Sequence, residues 1–310
     1  VTFDSSASLQ RYAWLSVATA LVTMALKLWA YAVTNSVGLL SDALESLVNL
    51  GAALMALFML RWAAQPPDSD HVFGHEKAEY LSSGVEGALI LVASVGIFGS
   101  AAQRLLHPAQ LQQLGLGLGL STLASLANAA TAAILYRAGG RYRSVALQAD
   151  SHHLMSDVYS SLGVLLGVAM VWATGWAPLD PLLAMAVGGW IAWTGIRVLK
   201  TAAHGMLDAS LPEDTLTNID ALLQKYRAQG IDFHALRTRQ AGRSCFIQLH
   251  VLVPGAWSVL RGHDLLEEIE AQLCLLVPGA RLHTHLEPLE DPASFQDIDL
   301  ERRPSSSAAS

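Results

Sequence analysis

The sequence predicts a membrane all-α domain of six transmembrane helices, followed by a small cytoplasmic α+β domain. Three observations predict it. Of 310 residues, 52% are hydrophobic and only 15% are charged, where a soluble domain of this size carries about 25% charged residues. The deficit is uneven: residues 208–310 hold 15 of the 26 acidic and 9 of the 19 basic residues, a balance of −6, while the preceding 207 residues sum to −1. Finally, six apolar stretches each approach the roughly 20 residues that a helix needs to cross a hydrocarbon core.

Those stretches are 12–33, 38–61, 81–103, 114–136, 147–173 and 179–199. Turn and interface residues separate them: Thr34-Asn35-Ser36, Gln65-Pro66-Pro67, His107-Pro108, Gly139-Gly140 and Gly175-Trp176-Ala177-Pro178. The fourth contains Gly115-Leu116-Gly117-Leu118-Gly119, and such small residues permit close helix contact in lipid. Basic residues near span ends set the orientation. With a cytoplasmic N-terminus, that side receives Arg11, Arg61, Lys77, Arg137, Arg141, Arg143, Arg197 and Lys200, and the opposite side Arg104 alone. Both termini are therefore expected in the cytoplasm. No charged n-region with a cleavage signal is visible, so no targeting peptide is expected.

Beyond the sixth span the pattern reads helix 213–229, strand 231–240, strand 244–253, helix 258–276 and strand 281–289. Phe246 to Val253 alternates at its start and stops at Pro254-Gly255; Pro278-Gly279 closes the second helix. The α-β-β-α-β order suits a sheet covered on one face. The expected domains are 1–207, spanning the membrane; 208–291, cytoplasmic; and 292–310, a disordered tail rich in Ser. The acidic balance excludes nucleic acid as a partner, which requires clustered Lys and Arg, and favours a cation. Cys245 and Cys274 lack a C-x-x-C spacing and read as small core residues in a reducing compartment.

Ionisable groups at membrane depth cost several kcal/mol and normally line a pathway. The second span presents Asp42, Glu45 and Asn49, and the fifth Asp150, His153 and Asp157. Spacings of three and four put each trio on one helical face. For Asp42 and Asp150, near helix starts, a solvated helix end competes evenly with a ligand role. An i, i+4 His/Asp pair holds a metal from one helix, and two such pairs make the four-coordinate site zinc prefers. The imidazole argues against Mg²⁺ and Ca²⁺, and the absence of sulfur ligands in the spans against Cu⁺. A second group lies after the second span, Asp68-Ser-Asp70-His71-Val-Phe-Gly-His75. A third lies in the tail, where His234, His250, His263, His283 and His285 accompany Glu287. An exposed polar loop and scattered surface histidines are the plainer readings of these two.

From about Tyr12 to Pro288 the chain resembles the cation diffusion facilitator family, and within it the bacterial zinc/ferrous-iron efflux pumps. The resemblance rests on Asn35-Ser-Val-Gly-Leu-Leu-Ser-Asp-Ala-Leu-Glu-Ser-Leu-Val-Asn49, on Asp68 to Lys77, on Ala149-Asp-Ser-His-His-Leu-Met-Ser-Asp157 and on Leu236-Arg-Thr-Arg-Gln-Ala-Gly242. It implies a transport site at Glu45, Asn49, His153 and Asp157, with Asp42 a further candidate. The family usually has Asp at the first two positions, so Asn49 loses a negative charge. It also implies a loop site at Asp68, His71 and His75, and a tail site at His234, His250, His263, His285 and Glu287, with His283 as an extra. A hinge ion pair maps to Lys77 and Asp208, and the tail is expected to be metallochaperone-like (ferredoxin-like). The implied protein is a homodimer packed through its tail domains in the bacterial inner membrane. It exchanges Zn²⁺, or Fe²⁺, Cd²⁺, Co²⁺ or Mn²⁺, for protons, Zn²⁺ serving also as a regulatory ion. A membrane-anchored metal sensor is the main rival. An intramembrane metalloprotease would want H-E-x-x-H, which the sequence lacks.

Overall fold

The computed structural model describes residues 3–34, 37–106, 115–176 and 178–296, apart from the side chains of some residues between 3 and 48, 115 and 121, and 164 and 180. The chain divides into two compact units, Val1–Met206 and Leu207–Ser310.

The first unit consists of α1 (Phe3–Thr34), α2 (Val37–Ala63), α3 (Ala78–Leu106), α4 (Gly115–Tyr142), α5 (Val145–Thr174) and α6 (Leu179–Met206). Each helix is longer than its apolar stretch, and Arg61, Arg104 and Arg141 lie in the last turns of α2, α3 and α4. Leu9, Ala13 and Val17, one turn apart on α1, pack with Leu57 and Leu60 of α2, Leu135 of α4 and Leu147 and Leu154 of α5. Across this bundle Thr19 and Thr131 share a buried 2.7 Å hydrogen bond. A smaller cluster, Ile90, Ala149, Ile191 and Val198, joins α3 and α6 to α5. Outward-facing Phe58, Val92, Val95, Trp190 and Trp193 are all more than half exposed, an exterior that suits lipid better than water. By length and composition, three helical segments among the described residues can cross a membrane: Leu9–Trp29, Ala78–Leu106 and Pro181–Met206.

Glycine sets the tightest helix approach. A Cβ on Gly87 of α3 would stand 2.9 Å from the Leu199 backbone nitrogen of α6, and one on Gly195 of α6 would stand 3.0 Å from Ile90 and Leu91. The glycine run of α4 permits close contact, but no described residue lies within 4 Å of a Cβ built on Gly119; the side chains at 115–118 lie outside the described set. The turn into α5 is built by Arg143 in the left-handed region (φ 53°) and by Ser144, which accepts from the Leu147 N–H as N-cap. Gly175, at φ 73°, closes α5 with its N–H on the Val171 carbonyl.

The second unit contains α7 (Glu213–Arg227), β1 (Asp232–Ala241), β2 (Ser244–Val253), α8 (Val259–Leu276) and β3 (Ala280–Pro288). The sheet order is β1-β2-β3, with β1 antiparallel and β3 parallel to β2. Parallel pairing follows from α8, which carries the chain back across the sheet. Ile247, Leu249, Val251 and Val253 of β2 enter a core with Ile219 and Leu223 of α7 and Ile269 and Leu273 of α8. Strand alternation then sends His250 to the uncovered face. Cys245 is buried and Cys274 exposed, and neither is joined in a disulfide. The expectation of a core Cys274 fails because Leu273, its neighbour, takes the inward position, and one residue of helix turns the side chain away. Pro292–Phe295 form a short 3₁₀ helix capped by the Asp291 carboxylate. The expected disorder of 292–310 therefore does not hold at its start, and residues 297–310 lie outside those described.

Candidate metal centres

Within the helical unit, α2 and α5 bring Asn49, His153 and Asp157 together. Asn49 donates from Nδ2 to Asp157 Oδ2 at 2.5 Å, and its Oδ1 lies 2.9 Å from His153 Nε2. Asn49 is 7% exposed and His153 4%. One amide thus links an imidazole and a carboxylate one helical turn apart. The side chains of Asp42 and Glu45 lie outside the described residues. Asp150 is buried on α5, one turn before His153.

The sequence reading missed two acids of α3. Glu86 is 2% exposed, with Oε2 4.0 Å from His153 Nδ1, and both Asp150 and Asp157 lie within Coulombic range of it. Glu79, also buried, accepts from the Ser144 hydroxyl at 2.6 Å and so ties the start of α3 to the cap of α5. Their spacing of seven was a legible signal, since it places both on one face of an apolar span.

The α2–α3 loop folds around Asp68. Its Oδ1 accepts from the backbone N–H groups of His71 (2.6 Å) and Asp70 (3.0 Å) and lies 3.2 Å from His71 Nδ1, while Oδ2 lies 3.2 Å from His75 Nε2. The backbone N–H of His71, foremost among these donors, holds the Asp68 carboxyl below its usual value of 3.8. The two imidazoles sit 4.5 Å apart beside Trp62. Asp68 and His71 are exposed and His75 is buried, and their three ligand atoms converge within 4.8 Å.

On the tail sheet, register aligns three imidazoles: His234 pairs with His250, and His250 with His285. A bulge at Ala235 (φ 51°) inserts one residue between the His234 and Arg237 pairings, a common way to re-aim a strand side chain. Buried Glu287 lies 2.9 Å from His234 Nε2, 3.3 Å from His250 Nδ1 and 3.3 Å from His285 Nδ1. The ligand atoms of His234, His250 and Glu287 lie within 4.8 Å of one another, with His285 touching Glu287 outside that trio; a buried carboxylate facing imidazoles suits a cation. His283 is exposed two residues along β3. His263 stands apart on α8, exposed, with Glu267 3.9 Å away. As for the hinge residues, Lys77 donates to the Met206 carbonyl at 3.4 Å inside the first unit, and Asp208 accepts from Arg239 at 3.0 Å inside the second.

A lipid-compatible helical bundle with an imidazole–carboxylate cluster inside it, joined to a small domain carrying a histidine-rich sheet face, defines a class: membrane proteins that handle cations. Comparison with known proteins narrows it. The model of the cation efflux transmembrane domain matches residues 13–207, and that of the cation efflux protein cytoplasmic domain matches residues 211–289. A protein of Synechocystis sp. (strain ATCC 27184 / PCC 6803 / Kazusa), named "Uncharacterized transporter sll1263", is 54% identical over 288 residues, 93% of each chain. The cation-efflux pump FieF of Yersinia enterocolitica is 32% identical over 267 residues, covering 86% of this chain and 88% of that one. The FieF of Yersinia pestis (strain Pestoides F) is 31% identical over 273 residues, 88% and 90% of the two chains. The chain belongs to the cation efflux, or cation diffusion facilitator, family. It is a membrane-embedded secondary transporter of cations and not an enzyme.

Proposed function

We propose that this protein exports a divalent transition-metal ion, Zn²⁺ foremost, in exchange for protons. Its setting in this reading is the bacterial inner membrane, with both termini in the cytoplasm and the tail domains paired in a homodimer. The observation that carries the reading is the buried contact of Asn49 with both His153 and Asp157. Three polar side chains from two helices meet where ionisable groups are costly unless they serve a permeating ion. The ion binds among Glu45, Asn49, His153 and Asp157, with Asp42 in reserve. The Asn49–Asp157 hydrogen bond closes the site between turnovers, and an arriving dication takes the carboxylate oxygen that the amide held. Metal ligands must be deprotonated to bind, so loading from the cytoplasm releases protons. An imidazole titrates near neutral pH, which lets protons displace the metal once rocking of the bundle opens the site outward.

The loop group of Asp68, His71 and His75 and the tail group of His234, His250, His285 and Glu287 hold regulatory ions, which favour the paired dimer. His263 and His283 remain tail candidates outside the single-chain cluster. Zinc counterflow into proteoliposomes separates this reading from an anchored sensor. The wild-type dimer should exchange external for internal zinc and His153→Ala should not; absence of exchange in the wild type would favour the sensor.

A further inference from the structure

We propose that Glu86 of α3 is a positioning residue for His153: it accepts the Nδ1–H and thereby turns Nε2 toward the transported metal. The inference rests on the transport-site reading above and adds a third helix to it. An imidazole that binds a metal through one nitrogen carries its proton on the other, and that N–H needs an acceptor when buried. His153 presents Nε2 to Asn49 at 2.9 Å, the side where Asp157 also lies, and presents Nδ1 to Glu86 Oε2 at 4.0 Å. Glu86 is 2% exposed, and its Oε2 has no hydrogen-bond partner among the described residues. A carboxylate oxygen left without a donor in such a site is strongly disfavoured. A metal on Nε2 supplies that donor, because it fixes the proton on Nδ1. The 4.0 Å separation is too long for a hydrogen bond, so loading draws the two side chains together and couples α3 to the α2–α5 cluster.

Zinc flux into proteoliposomes, with Mn²⁺ as competitor, tests this. Outer partners of a ligating histidine contribute about 10–100-fold to metal affinity, so Glu86→Gln, which keeps shape and loses charge, should raise the zinc KM by that factor while kcat changes little. Glu86→Asp should recover part of the loss. Mn²⁺ favours carboxylates over imidazole, so its inhibition constant should rise much less than the zinc KM. Equal rises for both metals would mean that Glu86 acts as a direct ligand or a general support, and a zinc KM within twofold of wild type would mean no role; either result overturns the proposal. His153→Ala in the same assay keeps the two claims apart: retained flux there would sink the site reading itself, whereas lost flux beside an unchanged Glu86→Gln KM would sink only the role of Glu86.

Discussion

Asn49 carries opposite polarity on its two ends, donating to Asp157 and facing His153 with its oxygen. Asn49→Asp replaces that donor with a second carboxylate against Asp157, a contact that only a proton or a cation relieves. The zinc KM should fall about tenfold, equivalent to about 1.4 kcal/mol, and zinc should raise the melting temperature of the purified variant more than that of the wild type. At the loop, Asp68 is held ionised below its ordinary 3.8. What its charged form contributes is present above that value and lost as pH falls through the lower one. Calorimetry with Cd²⁺ should therefore give the same ratio of wild-type to Asp68→Asn loop affinity at pH 5 and pH 7. The polar stripes of α2 and α5 were legible because spacings of three and four show which residues share a face. Glu86 was not recognised: its spacing of seven from Glu79 shows a shared face of α3, but not which helix stands opposite that face.

At the scale of the element, small residues and caps hold the helices in register. Gly195→Leu drives a side chain into Ile90 and Leu91 across the α3–α6 seam, an overpacking that costs about 1–3 kcal/mol. Gly119→Ala, with no described residue near its Cβ position, should raise the melting temperature in detergent slightly, since glycine inside a helix costs about 0.5–1 kcal/mol relative to alanine. Ser144→Ala removes the α5 N-cap and the bond to Glu79 together; about 1–2 kcal/mol is expected from the cap alone, read as a lower melting temperature. The tail strands were legible nearly to the residue, β2 as an alternating apolar run ended by Pro254-Gly255 and β3 as the run that follows Pro278-Gly279. The location of the tight helix seam was not legible. Glycines occur in α3, α4 and α6 alike, and only the packing partners of Gly87 and Gly195 distinguish close approach from open space.

For the whole molecule, the sequence composition marked two parts with different solvents, and the chain divides into two units at Met206 and Leu207. Convergence of His234, His250 and Glu287, with His285 at its edge, depended on strand register and a bulge, which residue spacing along the chain does not encode; the same topology leaves His263 outside the cluster. If the tail group binds a regulatory ion, chelation should destabilise the dimer. An ion at a hundredfold excess over its dissociation constant contributes about 2.7 kcal/mol, and His250→Ala should abolish the melting difference between metal-loaded and chelated protein. Flux through the membrane is the more direct matter. Purified dimer reconstituted with a pH-sensitive dye inside the vesicles should move protons against an imposed zinc gradient, and Asp157→Ala should show none while eluting as a folded dimer. Proton movement of wild-type size in that variant would contradict the assignment of the buried cluster as the ion's route.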